Sequence, residues 1–595
     1  MKIKRWEMFK IIKKVFYQAV REGKTQFIIL FVLSIISSFA MYFQLTVPEI
    51  ATNIAYAFIK NQNIEFMATI LPFVKVIIIL FGFNITFMIY RMLAVRVTWD
   101  LKTQFELGLT KKLSVMTWES YETHDVNMKI EMVRRDGVNA YLALAFDLVT
   151  WFINTLFYLA FYVAVISRIS ILIGLLFLIS SIIYIIIGIY CGNKVYKTRR
   201  DNDAIYKKRT YLYRCGRSKE AHQDGIANRL YWHLSKRWRQ MNDDWSNQSI
   251  KAQTRVSVYN LIPGLVFAVI AAGLLYIVVK EIQAGRQEIG YFTLIITTII
   301  NFRWTLQSLS MNLSWYENDF NVYRDYLDLM KVEEELPNTE ELLPDNFEIE
   351  FKNIDYTYPQ SKHLALNNLD LKIKAHDVIA IVGVNGSGKT TFVNMLMELS
   401  KKYQGDITVN AVNINDTLGM LRNCCSCIFQ DFIEYQFTIK ENIILGDLTR
   451  NITDDEVWEI LSVVGLKDFV EKLPAGIDTM LGQINQGTEL SKGQWQRLAV
   501  ARLLANQRAK IWILDEPTAY LDPLGEIEMY NFIYGLKGNR TVIFISHRLG
   551  FAKRANRIIV FKDGKVIEDD THKVLMNNPN SEYAKMYEKQ RQWYE

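Results

Sequence analysis

Cysteine is scarce in this chain, with five in 595 residues. So few cannot form a disulfide framework in a protein of this length. Cys191 and Cys215 stand far apart, while Cys424, Cys425 and Cys427 crowd into one expected strand. The CCSC run lacks the paired CxxC spacing of a zinc site, so the expectation is small buried thiols in a reducing compartment. Proline and glycine are also few, at 10 and 29 residues, which excludes collagen-like and Pro/Gly-rich disordered classes. Neither charge sign dominates: 69 Lys and Arg face 62 Asp and Glu, for a formal net charge of +7. Charged residues are only 22% of the chain and hydrophobic ones 50%.

The hydrophobic residues are unevenly placed. Before residue 330, six apolar stretches stand near 26–47, 66–90, 142–166, 170–190, 259–280 and 290–310. Each is long enough for a hydrocarbon core of ~30 Å, which takes about 20 residues. Ile169 to Tyr190 carries no charge at all, where a soluble helix would show a polar face. Basic residues precede the first stretch (Lys10, Lys13, Lys14) and fill the segments 91–141 (Arg134, Arg135) and 191–258 (Lys207, Lys208, Arg209). The other connections hold only Lys60, then Arg168, then Lys280 and Arg286. The positive-inside rule therefore places both termini and both long loops in the cytoplasm.

Residues 1–24 read as an interfacial amphipathic helix, with Trp6, Phe9 and Phe16 on its apolar side, rather than a cleaved signal. The long loops have few helix breakers and are expected to continue the membrane helices outward. Their tips are expected near 116–126 and 222–232. Charges at membrane depth usually face protein or water. Arg303 and Asp147 are expected at similar depth, either as an ion pair that fixes packing or with Arg303 in a basic cavity for acidic cargo. Lys75 is expected to snorkel outward.

From about residue 345 the pattern changes to short β-branched strands alternating with helices, the α/β signature. IAIVGVNGSGKTT is the decisive string: a buried strand over 378–382, then Gly383, four residues, and Gly388-Lys389-Thr390. In this P-loop spacing, glycines turn backbone N–H groups toward phosphates at a helix N-terminus. Lys389 can reach the β- and γ-phosphates and the Thr390 hydroxyl can ligate magnesium. A second strand, Lys510 to Leu514, ends in Asp515-Glu516. There Asp515 can hold magnesium through water, and Glu516 can polarise the attacking water.

With these motifs the chain resembles the ATP-binding cassette (ABC) transporters over essentially its whole length. Leu490-Ser491-Lys492-Gly493-Gln494, continued by WQRLAVAR, resembles the family signature. The resemblance implies an α-helical transmembrane domain over 1–330, a linker over 331–344 and an α/β P-loop cassette over 345–595, in the type IV exporter arrangement of a half-transporter. It implies ATP and Mg2+ as ligands. Tyr358 would stack on adenine, and Gly383, Asn385, Gly386, Ser387, Gly388, Lys389, Thr390 and Thr391 would hold the phosphates. Gln430 would be the Q-loop glutamine and, with Thr390 and Asp515, a magnesium ligand. Asp522 would belong to the D-loop. Glu516 and His547 would act on the γ-phosphate with Gln430, while Ser491, Gly493 and Gln494 would face the nucleotide of a second copy. Two departures stand out: Lys492 replaces the usual signature glycine, and Gln483 to Thr488 replaces an acidic segment.

The same resemblance implies ATP-driven export of an amphipathic peptide, lipid or drug-like molecule across a bacterial cytoplasmic membrane. The signature's surroundings favour a peptide, which the chain would not process itself, as only about 24 residues precede the first span. The complete motif set implies a homodimer, with a heterodimer as the alternative. The other readings are an importer of a metal chelate with the same fold and a regulatory cassette that does not pump. The basic loops lack stacking motifs for nucleic acid, so no nucleic-acid partner is expected.

Overall fold

The computed structural model describes residues 5–60, 66–168, 171–201, 203–216, 219–335, 342–359, 361–416, 419–482, 487–516, 523–546, 549–550 and 552–591. The chain divides into two compact units, residues 1–114 with 128–332 and residues 115–127 with 333–595.

The first unit is helical. Its elements are α1 (Arg5–Ser38), α2 (Ala40–Ile59), α3 (Phe66–Val115), α5 (His124–Leu142), α6 (Leu148–Ser167), α7 (Ile171–Asp201), α8 (Asp203–Cys215), α9 (Lys219–Ala227), α10 (Tyr231–Gln283) and α11 (Gly290–Leu329). The short α4 (Trp118–Glu122) falls in the second unit. With 50 and 53 residues, α3 and α10 each exceed the ~30 Å of a bilayer core more than twofold at 1.5 Å per residue. The long loops are therefore helical extensions, with breaks at 116–117 and in the region around α9.

Among the described residues, three helical runs are long and apolar enough to cross a membrane: Ile70–Val115, His124–Ser167 and Tyr231–Gln283. Thr25–Ile36 and Ile171–Ile187 are shorter apolar helices. The expected first span over 26–47 is not one helix, because α1 stops at Ser38 and α2 begins at Ala40. Ser38 Oγ donates to the Ser34 carbonyl at 3.0 Å, and both hydroxyls donate to Asn154 Oδ1. Such back-bonding bends helices. A five-residue π-helix, Ala143–Asp147, joins α5 to α6.

An aromatic knot of Tyr162, Phe177, Phe267 and Phe302 fills the helical core. Phe177 meets Phe302 edge-on at 5.2 Å and Phe267 at 5.3 Å. The expected Arg303–Asp147 ion pair is not formed: both side chains are exposed and no ion pair joins them. Phe302 and Leu306 take the buried face of α11, which turns the adjacent Arg303 out of the core.

The second unit holds two sheets. The first is antiparallel, in the order β2 (Leu366–Lys374), β1 (Glu348–Tyr356), β4 (Gln404–Val409), β5 (Val412–Asn413). The second runs β10 (Lys565–Asp570), β9 (Arg557–Lys562), β3 (Val378–Val382), β8 (Thr541–Ile545), β7 (Ile511–Asp515), β6 (Cys425–Ile428). It is parallel from β9 to β6, with β10 antiparallel at one edge. Every residue of β3, β7 and β8 is buried, as expected of a parallel sheet covered on both faces. The cysteine-rich stretch is divided: Cys424 ends a helical turn and Cys425 begins β6, both buried. In open α/β sheets the carboxyl ends of such strands form the binding crevice.

Candidate nucleotide site

β3 ends at Val382 and the chain turns sharply through Gly383 before the helix Lys389–Leu396. Gly388 caps that helix with φ +106°, and Gly383 has φ +153°. A Cβ at Gly383 would overlap the Phe561 carbonyl oxygen, and one at Gly388 would lie 2.9 Å from that of Ala365. Only glycine fits either position. The Lys389 ammonium, on a residue 7% exposed, donates to the Gly383 and Val384 carbonyls at 2.8 and 3.0 Å. Burial lowers its pKa, against the opposing influence of Glu516 and Asp515.

Two strands away, β7 delivers Asp515, only 4% exposed, to the same crevice. Burial, then repulsion from Glu516, pushes the Asp515 carboxyl up to about 6, with Lys389 pulling the other way. Glu516 follows in the left-handed region at φ +47°, and its N–H donates to the Ile545 carbonyl of β8 at 2.9 Å. A non-glycine residue there is uncommon and strained, and such positions cluster at functional sites. The Tyr358 hydroxyl is hydrogen-bonded to Thr391 Oγ1 at 3.0 Å.

A cleft of about 810 Å³ unites these groups: Tyr358, the P-loop, Gln430, Asp515 and Glu516 all line it. The structure thus brings together Gly383, Asn385, Gly386, Gly388, Lys389, Thr390, Thr391, Gln430, Asp515, Glu516 and Tyr358. Ser387 sits buried within the P-loop, its hydroxyl without a hydrogen-bond partner among the described residues. Ser491, Gly493 and Gln494 do not line this cleft. They form the start of the helix Lys492–Ala505, where Ser491 and Gln494 make a reciprocal capping box: Ser491 Oγ accepts from Gln494 N–H at 3.2 Å, and Gln494 Oε1 from Ser491 N–H at 2.8 Å. Asp522, His547 and Gln483 to Gln486 lie outside the described residues.

Met586, Lys589 and Gln590 also line the cleft, from the C-terminal helix Glu582–Arg591. Gln590 Oε1 accepts the Leu549 N–H at 2.8 Å. Sequence reasoning missed all three, since no motif marks this helix and only the tertiary fold returns it to the P-loop.

A buried ammonium and a buried carboxylate converging on a glycine-rich helix N-terminus suit a phosphate-bearing ligand and its counter-ion. Residues 366–519 match the family model described as ABC transporter. These residues are an ABC transporter domain. The chain is 30% identical over 359 residues to the subtilin transport ATP-binding protein SpaT of Bacillus subtilis, covering 60% of this chain and 57% of that protein. It is 31% identical over 336 residues to the nisin transport ATP-binding protein NisT of Lactococcus lactis subsp. lactis, covering 56% of each. The ATP-dependent lipid A-core flippase of Haemophilus influenzae (strain 86-028NP) is 30% identical over 357 residues, covering 60% of each. The matches thus span well under two thirds of each relative's length. A solved bacterial Atm1-family ABC exporter with ATP bound superposes with a TM-score of 0.76 over 96% of this chain and 98% of that one, at 19% identity. At that identity the likeness shows the fold alone, shared over nearly the whole of both chains.

Proposed function

We propose that the chain is an ATP-driven exporter half. The single observation that carries this reading is the cleft in which Lys389, Asp515, Glu516 and Gln430 converge, in a chain whose other unit contains bilayer-length apolar helices. Lys389 and the P-loop N–H groups would hold the phosphates, exchanging the present Gly383 and Val384 carbonyls for phosphate oxygens. Thr390, Gln430 and Asp515 have the hard oxygen donors that suit Mg2+, which when bound would neutralise charge developing on the phosphates. Glu516 would polarise the attacking water, and the D-loop and switch roles fall to Asp522 and His547.

Ser491 and Gly493, away from their own cleft, would meet the nucleotide of a second copy, so the working unit is proposed as a homodimer. ATP binding would close the pair and hydrolysis reopen it. The nucleotide shifts that equilibrium only by binding the closed state more tightly. The cargo is proposed to be an amphipathic peptide or lipid, by analogy with subtilin and nisin transport and lipid A-core flipping in the relatives. The membrane is proposed to be a bacterial cytoplasmic membrane with both termini inside. The test is ATP-dependent uptake into inside-out vesicles of ligand recovered from the purified chain. Accumulation with Mg-ATP is expected, and ATP-driven movement in the opposite direction would overturn the export reading.

A further inference from the structure

Lys492 occupies the signature position where the family resemblance leads one to expect glycine. Its ammonium lies 2.7 Å from Glu434 Oε1. Glu434 stands four residues after Gln430, in the segment that leaves the nucleotide cleft. The same segment is gripped again from the far end of the helix Lys492–Ala505. There Arg502 donates to the Ile433 carbonyl at 2.9 Å and lies 5.0 Å over the Tyr435 ring. Tyr435 stacks on Phe437 at 5.8 Å, and its carbonyl accepts from Asn442 Nδ2 at 3.0 Å. Residues 433–435 are thus held to one helix through a carbonyl, a carboxylate and a ring.

The two grips differ in kind. Arg502 lies among packed groups, its guanidinium against an aromatic face. Lys492 is 60% exposed at the side chain and Glu434 31%. An exposed pair contributes little to stability and is screened by salt. Its value lies in where it acts. Lys492 is the first residue of the helix, directly between Ser491 and Gly493. Glycine there would leave Arg502 to hold this helix to residues 433–435, whereas the lysine adds a tie at the helix start.

Resting on the reading of the cleft as an ATP site, the geometry points to the Lys492–Glu434 ion pair as a positioning link. It makes the placement of Ser491–Gly493, which serves the partner copy's nucleotide, follow the segment that carries Gln430, which serves the cassette's own. The two ATP sites of a dimer would then sense each other partly through this pair. Neither residue needs to touch nucleotide in its own cassette.

The test uses the full-length chain in lipid nanodiscs, with Lys492→Glu, Glu434→Lys and the double charge reversal. Each single reversal is expected to raise KM for ATP by about two- to fivefold, the scale of an exposed pair, with kcat changed less. The double reversal is expected to restore KM to within about twofold, and the single-variant defects are expected to shrink at 1 M salt, where the Debye length is about 3 Å. Amide exchange of residues 491–494, read without ATP, should quicken in each single variant and slow again in the double. A double variant as impaired as its singles in both readouts would overturn the link. So would Glu434→Gln tightening ATP binding, which would mean Lys492 acts directly on phosphate and Glu434 restrains it. Absence of ATP hydrolysis by the unaltered chain would overturn the function proposed for the cleft, and the exchange readout would still decide the link.

Discussion

In the cassette, every residue of β3, β7 and β8 is buried. In the helical unit, buried Phe177 shares α7 with Ile179 and Ile182, whose exposures are 53% and 55%. The cassette hides most of its apolar surface in itself, whereas the helical unit leaves much of it exposed. In water, burial of apolar area drives folding. Between helices in lipid that drive is absent, and packing shape and hydrogen bonds take over. Ser34, Ser38 and Asn154, and the aromatic knot around Phe302, are contacts of that second kind.

Paired truncations break this comparison most forcefully if it is wrong. Phe351 is 1% exposed and packs on Phe392 at 5.1 Å. Phe351→Ala should destabilise the cassette by about 3–5 kcal/mol, while Ile179→Ala in lipid should change stability by less than about 1 kcal/mol. Melting of both variants in nanodiscs checks this, and equal losses would contradict the division. Next in size, Lys389→Ala removes the buried ammonium and should weaken ATP binding by about 100-fold, the scale of lost charge-assisted hydrogen bonds. A fluorescent ATP analogue titrated into the full chain reads this out.

How much of this was legible beforehand follows the same division. The strand over 378–382 stands where the P-loop spacing put it, as β3, and the strand before Asp515-Glu516 stands as β7. Phosphate chemistry demands particular residues at fixed offsets, so local sequence reveals it. The break at Phe39 was not legible, and the Asn154 amide that accepts from both serines beside it lies more than a hundred residues away in the chain. The absent Arg303–Asp147 pair has the same lesson: similar depth does not fix which way a helix face turns. The tip expected near 116–126 falls in the cassette's unit, within residues 115–127, where the Glu119 carboxylate accepts the N–H groups of Lys401 and Lys402 at 2.9 and 3.0 Å.

A pH experiment sharpens the electrostatic side of the cassette. The Asp515 carboxyl, at about 6 in the folded protein, lies above its ordinary value near 3.9. A raised carboxyl contributes stability that is fully present below about pH 4 and lost as pH rises through about 6. Without nucleotide and magnesium, Asp515→Asn should therefore raise the melting temperature at pH 8, by an effect on the order of 2–3 kcal/mol, and leave it nearly unchanged at pH 4. An equal shift at both values would contradict the assignment. Smallest in size, Glu119→Gln keeps an acceptor but loses its charge. It should cost roughly 1 kcal/mol and quicken amide exchange at Lys401 and Lys402, with the helical core around Phe302 unaffected.

The central claim is that the cleft between the P-loop and the end of β7 hydrolyses ATP with Glu516 as the group that polarises water. Steady-state Mg-ATP turnover by the full chain in lipid nanodiscs, compared with Glu516→Gln, tests it directly. Turnover by the unaltered chain and a loss of about 10²- to 10⁴-fold in the variant, with ATP binding retained, are the expected results. A variant that turns over ATP at the unaltered rate would contradict the account.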